Sequence, residues 1–583
     1  EKGNINLNET ADALVVKGER FEAVFSKKEG TLSAYTLNNV PLMSKGLELN
    51  LFRAPTDNDK QVSGDWQRKG LYQLQTETGK WETRQEEDRI TLHIRNCHKG
   101  KLGFEYRTEM EYTVNADGSI MVNSVIMPVS DGEIIPRVGY RMELPEGFER
   151  MRWYGRGPWE NYTDRKDATP IGVYESTVSD QWVDYVKPQE MGNHEEVRWI
   201  SITNADGMGF VFVAGGQMAA SALHVRAQDM ADPDHLQKLI HKYDIPMRKE
   251  TVLCLDAHNR PLGNASCGPG PMKKYELQAT PVAFSFIMMP LERSYTQSEL
   301  TKKARVQMPA CMPVMVERDN NGYLQMSTGT PDATIFYSLN GNEYREYTAP
   351  FEFIDGGKIQ TYAVSGKLGK SLVTTMELPI FVDHSAWKVV SSSSDSQGVP
   401  SSYWHSRWHE PIPEFPHSIV VDMASLLVVD KFIYTARHSN DNGHVKDYEL
   451  SFSKDGKNWE STVKGTFSNL TSAQTITLET PVTARYFKFV PLSEMHGRKW
   501  ASAAELNVSI LKNISGASQR QIVVSVDSDA DNSMKLAADG NINTYWHTVH
   551  NQFYIAPYPH EIHLSSPTQR GHYKGYPLHS ATR

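Results

Sequence analysis

Cysteine is scarce in this 583-residue chain: Cys97, Cys254, Cys267 and Cys311 are scattered and form no C-x-x-C pair. That spacing speaks against a disulfide framework and a thiolate metal site, and it leaves the redox compartment open. No stretch of about 18 uninterrupted apolar residues occurs, so no membrane span is expected. No long basic run occurs, and the formal net charge of −9 is interspersed with both signs, so nucleic acid is not an expected partner. The G-x-S-x-G elbow and the H-E-x-x-H metal motif are both missing, and "GNASCGPG" leads into no phosphate-binding pattern. Helical periodicity is rare as well. Its best instance is "DPDHLQKLIHKYD" (232–244), with Asp232 as cap, Pro233 in the first turn, and Leu236, Leu239, Ile240 and Tyr243 on one face. The opening "EKGNINLNET" has no initiator Met and no signal-peptide pattern, so a removed leader or a longer parent protein is expected.

What remains is β-rich. The length is several domains' worth, and short alternating runs such as "EYRTEMEYTVNADGSIMVNSVIM" and "GMGFVFVAG" read as strands, with "NADGS" (115–119) as a hairpin turn. Twelve Trp and 26 Tyr suit both buried β-cores and carbohydrate-facing surfaces. The class is all-β, built of sandwiches. A polar, then Pro-punctuated stretch at 294–308 reads as a linker. Residues 309–382 then give one small sandwich with an Asn340-Gly341 turn. An internal repeat follows. "SSYWHSRWHEPIPEFPHSIVVDM" (401–423) recurs as "NTYWHTVHNQFYIAPYPHEIHLS" (543–565). The second copy stops about 20 residues after its Pro-His pair, before its sheets can close, and open edges there predict poor order.

The carboxylates are the first chemical question. "WYGRGPWENYTDR" places Glu160 and Asp164 among indoles and phenols. A glycosidase pair needs two carboxyls roughly 5 to 9.5 Å apart across one bond. The competing reading is a turn in which Arg156 and Arg165 neutralise both acids. "RAPTDND" offers Asp57 and Asp59 either to a cation or to an Asx-stabilised loop. "DSDADN" (527–532) begins like a calcium loop but lacks its glycine and terminal glutamate, and His547, His550, His560 and His563 match zinc spacing only loosely.

Three resemblances organise these pieces. Residues 1–293, through "LFRAPTDND", "WYGRGPWENYTDR", "YVKPQEMGNHEEVRW" and "LGNASCGPGPMKKYEL", resemble the small-chain domain of family 2 β-galactosidases. That resemblance implies an antiparallel supersandwich of the galactose mutarotase kind. Residues 309–382 resemble the immunoglobulin-like module that ends some chitobiases and hexosaminidases. Residues 383–511, through "FIYTARHSNDNGHVKDYELSFSKDGKNW" and "ARYFKFVPL", resemble discoidin-type (coagulation factor 5/8 type C) domains, which include family 32 carbohydrate-binding modules. Residues 512–583 begin a second such domain and leave it incomplete.

The family resemblance places the two working glutamates in an upstream barrel, so Glu160 and Asp164 become scaffold and no catalytic residue is expected in this chain. It implies that one loop reaches the rim of the galactose pocket, at Cys267, where some members carry tryptophan. The reading of Cys267 as a small buried turn residue stands beside this. The discoidin resemblance points to a glycan held by His405, Arg437, Asn442 and His444, with Trp500 as an aromatic plate; Trp404 and Trp459 read as core. It also implies a structural Ca2+, for which Glu505 remains in the first copy and Asp539 and Thr544 in the second. No cofactor is required by the chain itself, while Mg2+ or Na+ belongs to the parent enzyme. Expected partners are galactosides or other glycans, and the remainder of a β-galactosidase on the same chain or as a separate large subunit. A homo-oligomer is also open. A non-catalytic carbohydrate-binding protein is the alternative. Because such modules serve enzymes that meet outside glycans, export to a bacterial periplasm or cell surface is expected.

Overall fold

A computed structural model describes residues 4–129, 133–231, 240–306, 311–319, 321–366, 369–393, 404–437 and 442–514. Asp539, Thr544, the second repeat, the acidic run at 527–532 and the tail histidines lie outside the described residues. The chain divides into two compact units, one ending at Pro379 and one starting at Ile380.

The first unit opens with a five-stranded antiparallel meander, Asn6–Glu9 to Val40–Pro41. Its strand Phe21–Ser26 alternates buried and half-buried residues, the period-2 pattern of a sheet with one face on a core. A larger antiparallel sheet follows, with thirteen strands among the described residues. The expected hairpin closes with Val114 opposite Ile120. Gly118 supplies the positive φ of 86°, and Asp117 Oδ1 accepts from the Ser119 amide at 2.9 Å.

One part of this sheet carries a row of buried polar side chains. Strand Arg137–Leu144 is buried along its whole length. Val138, Tyr140, Met142 and Leu144 join the apolar core, so Arg137, Gly139, Arg141 and Glu143 face the other way. Its neighbours repeat the division. On Thr251–Asn259, Leu253 and Leu255 are core while Cys254 and Asp256 are opposite; on Lys45–Asn50, Leu47 is core while Glu48 and Asn50 are opposite. Register aligns Glu48, Arg141, Cys254 and Ser221 across four strands. The result is a row of polar side chains on a sheet face whose reverse is a dry core. Gly139 lies within it because a Cβ there would come 2.4 Å from the Leu255 carbonyl oxygen and 2.5 Å from Asp256 Oδ1.

Two expectations need correction here. The stretch read as a linker contains a helix, Gln297–Lys303. Thr296 and Glu299 form its capping box, and Leu300 buries against Trp199, Val211 and Leu291; the capping pattern outweighs the polar composition. The helix expected at 232–244 lies outside the described residues up to 239, and its described end is a single 3-10 turn, Lys242–Asp244, with Tyr243 exposed. The last part of the first unit is a small two-sheet sandwich around Val316, Leu324, Met326, Ile335 and Ile359. Its Asn340-Gly341 turn has φ of 55° and 80°, the left-handed pair that a two-residue hairpin turn requires.

The second unit is a sandwich whose long strand Ile419–Thr435 pairs with Lys388–Ser392, Gln474–Pro491 and Glu505–Asn513. Phe432, Tyr434, Phe487 and Phe489 fill its core, with Trp404 beneath. Trp404 donates its indole N–H to Ser392 Oγ at 2.6 Å and is core, as read. Trp459 is half-buried and outside that core, because it follows the exposed Asp455–Asn458 turn rather than lying within a strand. The short pair Trp404–His405 and Ser502–Ala503 sits at one end of the unit.

Candidate functional site

In the first unit the four motif loops meet. Arg53, wholly buried, donates Nε and Nη2 to Asp59 at 3.1 and 2.8 Å, and Nη1 to Asn259 at 3.1 Å. Arg260 reaches the same Asp59 at 2.6 Å and grips Glu276 with two further bonds. Asp59 also accepts from the Thr56 amide at 2.9 Å. Burial opposes its charge, yet the two guanidiniums hold its carboxyl below the usual range. Asp59 is therefore a loop residue rather than a cation ligand.

Glu160 and Asp164 are scaffold too. Asp164 accepts the Leu262 and Gly263 amides at 2.9 and 2.8 Å. Glu160 accepts the Gly192 amide at 2.9 Å and the hydroxyls of Tyr162 and Tyr185. Arg156, expected to neutralise one of them, does not. Arg156 pairs with Glu196 at 3.0 Å and caps the carbonyls of Lys166 and Thr169. Its place at the end of strand Arg150–Arg156 turns it toward that neighbour.

These bonds fix the base of one exposed loop, 264–270. Asn58 clamps it through the Gly263 carbonyl and the Ser266 amide at 3.0 and 2.9 Å. Asn264 closes its turn by accepting from Gly268 at 2.7 Å and Cys267 at 3.1 Å. Cys267 is exposed, which removes the reading of it as a buried turn residue. Trp159, on a motif loop joined to the same network, is 70% exposed.

In the second unit, register gathers the expected residues at one end. His405 lies opposite Ser502, and His444 bridges to Ser502. Trp500 donates its indole N–H to Asn442 Oδ1 at 2.9 Å. His444 is buried, with Nδ1 on Asn469 and Nε2 on the Arg437 carbonyl at 2.9 and 3.0 Å. It therefore holds the loop that carries Asn442. His405 sets Nδ1 against the Ser406 carbonyl at 2.6 Å, and burial pushes it down to about 4, leaving it neutral. Beside these stands Trp408, 43% exposed, its ring 6.2 Å from that of His405 and 4.1 Å from the tilted ring of His409. Sequence reasoning missed it; the second indole in "YWHSRWHE" was the available signal. Of the expected calcium ligands only Glu505, on strand Glu505–Asn513, falls among the described residues.

Comparison with known proteins agrees with this division. Residues 17–288 match the family described as beta galactosidase small chain, and residues 382–506 match the F5/8 type C domain. The chain thus carries a β-galactosidase small-chain domain and a discoidin-type domain. A beta-galactosidase of Priestia megaterium is 29% identical over 240 residues, 40% of this chain and 23% of that protein. A beta-galactosidase of Actinobacillus pleuropneumoniae is 25% identical over 290 residues, 49% of this chain and 28% of that one. The chain therefore spans about a quarter of the length of these relatives. Among solved structures, a CBM32 module of Clostridium perfringens, in complex with GalNAc-β-1,3-galactose, is 28% identical with a TM-score of 0.20, covering 22% of this chain and 98% of that one.

Proposed function

We propose that the chain is the C-terminal portion of a β-galactosidase that hydrolyses terminal β-galactosides with retention, its two glutamates lying outside these residues. The small-chain domain lends loop 264–270 to the rim of the sugar pocket, and the discoidin-type domain holds a galactose-type glycan near the enzyme. The observation that carries the reading is the meeting of four separated motifs in one charge-saturated network that fixes the base of the exposed loop 264–270. The acids of that network are hydrogen-bonded within the fold, so they position and do not react.

At the discoidin end, neutral His405 and the amide of Asn442 offer hydrogen bonds to hydroxyls, and Arg437 adds a donor. Trp408 and Trp500 offer faces for the apolar side of a sugar ring. Linkage to the catalytic part raises the avidity of a weak module. This reading places the protein outside the cytoplasm; no helix among the described residues is long and apolar enough to cross a membrane.

The test is an immunoblot of source cells against residues 1–293, joined to an assay of what the antibody captures. A band far above 65.9 kDa that cleaves an aryl β-galactoside is expected. Turnover by the purified 583-residue chain alone overturns the assignment of chemistry to other residues. A native band near 65.9 kDa with no large partner favours a non-catalytic carbohydrate-binding protein.

A further inference from the structure

The polar sheet face of the first unit opens into a cavity of about 510 Å³, whose lining includes no residue of the four motifs. The size suits a mono- or disaccharide. Four cations line it, Lys45, Arg141, Arg226 and Arg248, against one lining acid, Glu48. Glu143 and Asp229 stand behind and fix two of the guanidiniums by one edge each. Arg226 gives Nε to Glu143, and Arg248 gives Nε and Nη2 to Asp229 at 2.6 and 2.8 Å. Among the described residues, no acceptor takes the terminal nitrogens of Arg226 or Nη1 of Arg248. Arg141 is nine-tenths buried at the floor, held by Glu48 and by Gln228 Oε1 at 2.7 Å. Gln228 in turn donates to the carbonyl of Tyr72 at 2.8 Å, and Tyr72 is itself a lining residue.

We propose that this cavity is a second saccharide site, selective for a sugar that bears a carboxylate or sulfate group. Guanidiniums fixed at one edge and open at the other present rigid paired donors to an oxyanion. Asn50, Gln73 and Tyr72 complete the lining with polar and aromatic residues of the kind a sugar site uses. With Glu143 and Asp229 counted beside Glu48, the cluster holds one cation more than its acids; a neutral galactoside leaves that charge and the open guanidinium edges unmatched, so the cavity discriminates by charge.

The 583-residue chain is titrated calorimetrically with D-galacturonate, galactose and inorganic sulfate. Variants R226Q, R248Q and K45A are compared with K457A, which changes an exposed lysine of the other unit, and melting temperatures report folding. Lys45 is 40% exposed, so K45A tests charge without disturbing a buried group. Saturable galacturonate binding, at least tenfold weaker in R226Q and R248Q, weakened in K45A and unchanged in K457A, is expected, while any galactose binding is expected to be the same in all three pocket variants. Sulfate binding as tightly as galacturonate overturns the saccharide assignment. Galacturonate binding that is absent in the millimolar range, or indifferent to all three pocket variants, overturns the site.

Discussion

At the loop end of the first unit, Asp59, Glu160, Asp164 and Glu276 each accept two or more hydrogen bonds from within the fold. At the loop end of the second, the corresponding polar groups are a neutral histidine, an amide and a guanidinium beside two partly open indoles. The first arrangement uses charge to lock loops whose tip is then presented. The second uses neutral donors and aromatic faces, which adapt to hydroxyls and release them. A buried carboxylate is thus poor evidence for catalysis until its acceptor sites are counted.

The comparison breaks most visibly at Arg53. Removing it leaves Asp59 buried with only Arg260 opposite, and breaking a buried pair costs roughly 3–5 kcal/mol. R53A is expected to lose that much stability in urea denaturation and to expose loop 264–270 to proteolysis. Glycan binding by the second unit is expected to stay unchanged. Equal loss of glycan binding would mean that the two ends do not act independently.

Acid separates the units next. Folded His405 and His384 titrate near about 4, against 6.5 unperturbed, because burial disfavours their charge, and His417 is lowered too. Between about 4 and 6.5 the unfolded chain binds more protons at these sites, so their stabilisation is complete above 6.5 and is lost as pH falls. The first unit has such histidines as well, His98 near about 4 and His194 near about 3. It also has the opposite case: burial raises Glu195 to about 7 from 4.5, and raises Asp256. There the folded state holds the extra proton, and stability falls as pH rises from 4.5 towards 7. The two contributions offset in the first unit and do not in the second. Acidification from pH 7 to 5 is expected to lower hydrogen-exchange protection, corrected for intrinsic rates, more in strand 419–435 than in strand 137–144. An equal decline would contradict the offset.

Strand alternation and the two hairpin turns were legible in the sequence because each rests on local chemistry. The scaffold role of Glu160 and Asp164 was reached only through family resemblance. Their partners, the Leu262, Gly263 and Gly192 amides, lie 30 to about 100 positions away, and no local pattern announces a backbone donor. The same distance hid the polar row through Glu48, Arg141 and Cys254, since each strand alone reads as ordinary alternation. The helix at Gln297–Lys303 had a local sign, Thr296 with Glu299, which a polar composition obscured. Trp408 was indistinguishable from Trp404 until burial separated them.

That separation gives the next measurement. W408A is expected to weaken a galactose-type glycan about tenfold, about 1.4 kcal/mol, with no change in melting temperature, because the indole is 43% exposed. Unchanged affinity would shift the aromatic contact to Trp500.

The smallest effect is expected at Cys267. It is exposed, whereas Cys254 and Cys311 are buried and Cys97 is half-buried. Burial raises Cys254 and Cys97 to about 11 and also raises Cys311, which suppresses the reactive thiolate. A disulfide reagent at pH 8 is therefore expected to titrate one fast thiol in the folded chain and four after denaturation. C267A should abolish the fast thiol while changing stability by less than about 0.5 kcal/mol. If it costs more, the loop tip is part of the lock rather than what the lock presents, and the contrast between the two ends loses its sharpest point.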